Sequence, residues 1–286
     1  MRSPETLTID TLADLREKIK QEREKLDKEF EEKLKEIDIP ELIKKLKTEN
    51  YKGGSSIVRV LGRLIFSLKE ELSSYDTVLS DDASGRLPSL FLKEVILQKK
   101  EQLQKLSQRA LPNDQEKPIT NNHRSQLHTY FIGAGSNLHD YSYSSYDENR
   151  KQATEEQIRK SLERYQEELG KTLLVTEYIS SGESIESFCK ILREKGVDFN
   201  VAAVTMGYFY PDNYANLDKF LGKIKCGEDE SSEGAALFND KKHITGVVKN
   251  ETSGYLERSS KRDSVAMKNA REDMKMLAHE LFRLVE

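Results

Sequence analysis

Apolar positions recur at helical spacing through the first third of the chain. Between residues 11 and 38 they fall at Leu12, Leu15, Ile19, Leu26, Phe30, Leu34 and Ile37, in steps of three, four and seven, among dense Lys, Arg and Glu. This predicts one long helix, opened by Thr11 with Asp14 three positions on, closed before Pro40 and extending roughly 40 Å. The stripe is narrow. It suits a projecting arm or one partner of a helix pair, and equally a solvated helix lying on its own domain. Pro40 predicts a second short helix through Leu46, and Gly53 and Gly54 mark a boundary. From Ser56 to Leu72 the stripe widens to Ile57, Val60, Leu61, Leu64, Ile65 and Leu68, the pattern of a helix packed on a sheet.

Strand and helix patterns then alternate. Tyr75–Leu79 reads as a short strand, Ser80–Pro88 as a loop, and Leu90–Leu97 as the start of a helix running to about Arg109. After the polar stretch 98–125, with Pro112 and Pro118, Gln126–Ile132 alternates as a strand, Leu127, Thr129 and Phe131 on one face and His128, Tyr130 and Ile132 on the other. Gly133–Gln152 has little periodicity and reads as a mobile loop. Thr154 with Gln157 predicts a capped helix to Leu169 with Gly170 as its stop. Leu173–Val175 has the composition of a buried parallel strand, a helix follows to about Lys195, Gly196 ends it, and Phe199–Met206 is the next buried strand. Residues 222–234 read as a loop, Ala235–Phe238 and Ile244–Val248 as short strands, and Ser264–Val285 as a closing helix with Ala270, Met274, Leu277, Ala278, Leu281 and Val285 on its core face. The fold class is therefore α/β, a parallel sheet flanked by helices, with a helical N-terminal extension over 1–50 and the α/β domain over 51–286.

Composition narrows the function. Charged residues make up 34% of the 286, yet the formal net charge is −4, with basic and acidic side chains interleaved. That points away from nucleic acid, which calls for a net basic domain or stripe. Cys189 and Cys226 have no CxxC spacing, so reduced thiols are expected instead of a disulfide framework or a zinc site. The five histidines show no metal-ligand spacing, and no Ser-His-Asp or Cys-His pattern stands out. With neither an apolar signal region nor a run near the ~18 residues of a bilayer span, the cytoplasm is the expected compartment and no membrane partner is indicated.

The stretch Thr172–Ser184, TLLVTEYISSGES, carries the candidate chemistry. An apolar strand brings Thr176 and Glu177 to its carboxyl end, Ser180, Ser181 and Gly182 form a small-residue turn, and Ser184 is placed to cap the next helix. Free amides of a first helical turn, the positive end of the helix dipole and nearby hydroxyls make an anion cradle, for which phosphate is the natural occupant. A polar turn between any strand and helix has the same residues and needs no ligand.

The stretch resembles the signature of the type I phosphoribosyltransferases, in which an apolar strand ends in two acids and a Thr/Ser-Thr/Ser-Gly-x-Thr/Ser loop follows. The loop matches at Ser180, Ser181, Gly182 and Ser184; the acidic pair reads Thr176-Glu177, without the first acid. The resemblance implies that Ser180, Ser181, Gly182, Glu183 and Ser184 hold the 5-phosphate of phosphoribosyl pyrophosphate, and that Thr176 and Glu177 hold the ribose hydroxyls. The loop after Tyr75–Leu79 is similar, more loosely, to the family's pyrophosphate loop. There Ala83, Ser84, Gly85 and Arg86 would contact pyrophosphate, and Asp81 and Asp82 would hold a magnesium ion. The implied reaction transfers the phosphoribosyl group to a nitrogenous base, with Glu177 and Arg86 central to catalysis. The region with Ser145 and Tyr146 resembles the family's closing loop, and Tyr208, Phe209, Tyr210 and Tyr214 could stack on a base or simply pack. Two alternatives stay open. One is a non-catalytic regulatory protein that binds phosphoribosyl pyrophosphate or a nucleotide; the other is a helical interaction protein, associating with itself or a partner through the N-terminal helix, with a vestigial domain.

Overall fold

The computed structural model describes residues 9–48, 56–80, 85–109, 127–132, 148–179, 182–206, 223–229, 244, 247–249, 256–258 and 263–286. Its centre is a five-stranded, fully parallel sheet in the order β2-β1-β3-β4-β5, formed by β1 (Thr77–Ser80), β2 (His128–Phe131), β3 (Thr172–Ile179), β4 (Phe199–Met206) and β5 (Ile224–Asp229). The chain builds outward from β1 to β2, then returns to the other side of β1 and continues through β3, β4 and β5. The order reverses between β1 and β3, and ligands of open α/β sheets bind at such a switch point, beyond the carboxyl ends of the strands.

Strand alternation sorts the apolar residues into two cores. Val78, Leu173, Val175, Ala202 and Val204 face one, packed under α3 (Ser56–Ser67), α4 (Arg86–Arg109) and α7 (Ser264–Leu281). Leu79, Leu174, Val201 and Ala203 face the other, under α5 (Glu148–Glu163) and α6 (Glu183–Glu194), which supply Ile158, Leu162, Phe188 and Leu192. Covering both faces is what a parallel sheet requires, and it explains why β4 is buried along its whole length.

The first helix, α1, spans Ile9–Leu34 instead of 11–38, so Thr11 lies inside it and is not its cap. The chain turns after Leu34, and the Asp38 carboxylate accepts the Glu41 amide at 3.0 Å to open α2 (Ile39–Lys45), with Pro40 in its first turn as expected. Phe30 and Leu34 are buried in the first core with Leu42 and Leu46 of the α2 segment. Arg63 of α3 donates to Asp27 at 2.8 Å through Nε, and Lys69 pairs with Glu29 at 3.2 Å. The C-terminal half of α1 thus lies on the domain, because a narrow stripe is all that a single neighbouring helix requires.

Three other boundaries differ from expectation. Helix α5 begins at Glu148, so Thr154 does not cap it, and it ends at Glu163, followed by a 3-10 turn at Gln166–Glu168. Within the stretch expected to be a loop, Ile224–Asp229 is strand β5 at the sheet edge. Its polar sequence, Lys-Cys-Gly-Glu-Asp, hides the strand, and Gly227 is required there because a Cβ would stand 2.4 Å from the Val60 carbonyl oxygen and 2.7 Å from that of Val204. Ile244 is helical and buried, while the strand expected from it starts at Val247 and pairs antiparallel with Leu256–Arg258. Ala235–Phe238 lies outside the described residues. The closing helix is as expected, ending in a 3-10 turn at Phe282–Val285. Among the described residues no helix is long and apolar enough to cross a membrane.

Candidate functional site

Strand β3 carries Thr176 and Glu177, as expected, and continues two residues further, to Ile179. On one flank β1 pairs with it only as far as Ser80 opposite Val175. On the other, β4 stays in register to Met206 opposite Ile179, and the Thr205 hydroxyl donates to the Glu177 carbonyl at 3.4 Å. Residues 176–179 therefore extend β3 about 13 Å past its described pairing with β1 at strand rise. Val175 packs in the first core and Ile179, of the same parity, in the second, so the regular alternation is broken across Thr176–Tyr178. Thr176 is 1% exposed and Glu177 0%, so both lie within the protein.

The chain leaves β3 and enters α6 at Gly182, buried and with φ 80°, a left-handed conformation that a β-branched side chain resists. Gly182 is the N-cap residue, and its carbonyl accepts the Glu186 amide at 2.8 Å. Ser184, expected as the cap, is instead the second helical residue. A glycine at the cap brings no side-chain oxygen to the first-turn amides, which leaves them for water, loop or ligand. Ser180 and Ser181, and the side chains of Glu183 and Ser184, lie outside the described residues.

Arg86 belongs to a helix and not to the loop: it is the first residue of α4, with Pro88 tolerated in the same turn, where amides have no helical partner. Its guanidinium carbon stands 4.6 Å from the centre of the Phe131 ring, over the last residue of β2. Burial, and then the positive charge of Arg271 on α7, push Arg86 below the usual arginine range. Gly85 is a buried turn residue whose carbonyl accepts the Ser89 amide at 2.9 Å. Asp81, Asp82, Ala83 and Ser84 lie outside the described residues, as do Ser145, Tyr146 and the aromatic group Tyr208, Phe209, Tyr210 and Tyr214.

Arg86 and Gly182 thus stand at the same edge of the sheet, one beside β2 and the other following β3, with β1 between them. Laterally, two strand spacings, about 10 Å, separate those flanks, and Gly182 lies further out along the strand direction because β3 runs on to Ile179. Phe131 and Arg271 were not foreseen here. Phe131 is signalled only by the alternation of its strand, and Arg271 by nothing local, since it lies on the polar side of a helix read for its core. Among the described residues no group of three His, Cys, Asp or Glu side chains is placed to hold a metal, and both cysteines are buried and in no disulfide.

Comparison with protein families, with characterised proteins and with solved structures finds no match to this chain.

Proposed function

We propose that the chain binds phosphoribosyl pyrophosphate, or a nucleotide carrying ribose 5-phosphate, across the crevice between β1 and β3, and transfers the phosphoribosyl group to a nitrogenous base. One observation carries this reading. The two segments that resemble phosphate-binding loops follow neighbouring strands on either side of the switch point, although about 100 residues of sequence separate them.

In this reading the amides at the start of α6, opened by Gly182, take the 5-phosphate together with Ser180, Ser181, Glu183 and Ser184, Glu183 acting through its amide. Thr176 and Glu177 meet the ribose. Arg86, held by Phe131, faces the diphosphate with Ala83, Ser84 and Gly85. Magnesium enters with the diphosphate as part of the substrate, and Asp81 and Asp82, which follow directly on β1, offer the hard carboxylate oxygens it prefers. The bond from the anomeric carbon to the diphosphate oxygen breaks, the bond to the base nitrogen forms, pyrophosphate departs and the nitrogen's proton is released. Positive charge develops on the sugar and negative charge on the leaving group, so the contribution of the chain is orientation and electrostatics aimed at those two places.

The burial of Glu177 favours a second reading, in which the same crevice binds the ligand without turnover. The single acid of the pair is 0% exposed and Thr176 stands where the family has the other. Calorimetry with magnesium phosphoribosyl pyrophosphate tests both readings, and saturable binding is the expected result. Pyrophosphate release across a panel of purine, pyrimidine and pyridine bases then separates them. Release with one base supports transfer, binding without release supports a sensor, and no binding overturns both.

A further inference from the structure

A cavity of about 580 Å³ runs along the outer face of α7, lined among the described residues by Ser264, Met267, Lys268, Arg271, Glu272 and Lys275. Steps of three and four keep these on one stripe, with three cations against one acid. That acid is engaged already: the Glu272 carboxylate accepts from Lys47 Nζ at 2.6 Å and lies 3.8 Å from Lys268. Lys275 reaches Glu94 only at 3.9 Å, and Arg271, exposed, has no carboxylate partner among the described residues.

Two contacts orient the stripe. Lys275 lies against Glu94, and further on Lys99 donates to the Val285 carbonyl at 2.8 Å, so α7 and α4 run in the same direction. Arg271 precedes Lys275 by about 6 Å of helix and Arg86 precedes Glu94 by about 12 Å, which places both residues toward the end of the helix pair that meets the carboxyl ends of the strands. Lys268, Arg271 and Lys275 line a cavity of ligand size with one engaged acid among them, an arrangement for an anion with oxygens on more than one side.

We infer that the α7 cavity is a second anion site, which takes the di- or triphosphate group of a small molecule between Lys268, Arg271 and Lys275. It goes beyond the loop that follows β3 and shares no residue with the proposed function. The probes are inorganic tripolyphosphate and ribose 5-phosphate, titrated separately at fixed ionic strength into the full chain and into Arg271→Gln, Arg271→Lys and Gly182→Val. Arg271→Gln should weaken tripolyphosphate about tenfold or more, the loss of one charge-assisted contact. Arg271→Lys should recover part of that, and ribose 5-phosphate should bind all of the Arg271 variants alike. Gly182→Val should spare tripolyphosphate, and if that variant fails to fold, saturating ribose 5-phosphate should leave tripolyphosphate binding to the unaltered chain intact. Tripolyphosphate binding that needs Arg271 in a chain that ignores ribose 5-phosphate would keep this site and remove the proposed function. Absence of tripolyphosphate binding, or equal affinity in Arg271→Gln, overturns the inference.

Discussion

The Asp273 carboxylate of α7, 1% exposed, accepts the backbone amide of Thr48 at 2.8 Å through one oxygen and that of Lys47 at 2.9 Å through the other. A single side chain near the C-terminus thereby ties down the chain just past α2. Asp273→Ala would strip two amides of a charged acceptor, at a cost of about 2 to 3 kcal/mol. Urea denaturation should show that loss, with Asp273→Asn falling between the variant and the parent. An unchanged midpoint would mean that the segment is held by its apolar residues alone.

Those apolar residues yield a separate expectation. Phe30 is 1% exposed and packs against the Phe66 ring with centroids 5.9 Å apart. Phe30→Ala should destabilise the chain by about 3 to 5 kcal/mol, as for other buried aromatics. A chain starting at Tyr51 loses Phe30, Leu34, Leu42 and Leu46 together, so it should fold poorly instead of behaving as an intact domain without its arm. A truncated chain with the parent melting temperature would contradict that.

Tyr75 should set the alkaline limit of stability. It is fully buried at the amino ends of the strands, its hydroxyl accepts from Asn200 Nδ2 at 2.8 Å, and Lys171 lies 5.3 Å from its ring. Burial raises its ionisation well above the ordinary tyrosine value of 10, with the hydrogen bond from Asn200 opposing. The folded state therefore keeps a proton that the unfolded chain gives up. The stabilisation is complete below pH 10 and is lost progressively as pH rises toward the folded value. Tyr75→Phe should flatten the fall in unfolding free energy above pH 10, and an unaltered slope would assign that fall to other groups.

Much of this architecture is legible in the residues themselves. The covering of the sheet on both faces follows from continuous apolar runs, as at Leu173–Val175 and Val201–Val204, and Pro40 and Gly196 mark real boundaries. What local pattern misses is set by distant partners. Strand β5 is polar because it is an edge strand, and it is a strand because β4 and α3 lie against it. Tyr178 and Ile179 lie past the polar Thr176-Glu177 end read for the strand, and the register of β4 extends β3 through them. Arg86 reads as a loop residue because Pro88 follows, yet proline is compatible with a first helical turn. Gly182 was legible as a turn residue; its left-handed cap, which displaces Ser184 from that role, was not. Arg271 is brought to the side of α4 only through the packing of α7 on α4, which no local spacing encodes.

Glu177 distinguishes the sugar from its phosphate. Replacing it with Gln keeps the shape and removes the charge, so the affinity for ribose 5-phosphate should fall about tenfold while that for inorganic phosphate holds, because an amide accepts hydrogen bonds more weakly than a carboxylate. Titration calorimetry of both ligands reads this directly. Equal affinities for parent and variant would restrict Glu177 to a structural part in the strand.

The central claim is that the turn from β3 into α6 holds the phosphate of a phosphorylated ribose. It is tested most directly by titrating ribose 5-phosphate into the full chain and into Gly182→Val, with circular dichroism to establish that the variant is folded. At φ 80° a valine strains the cap and crowds the approach to the first-turn amides. The expected result is saturable binding by the parent, weakened at least about tenfold in a folded variant, a difference of ~1.4 kcal/mol. Absence of binding by the parent, or the same affinity in a folded Gly182→Val, would contradict the claim.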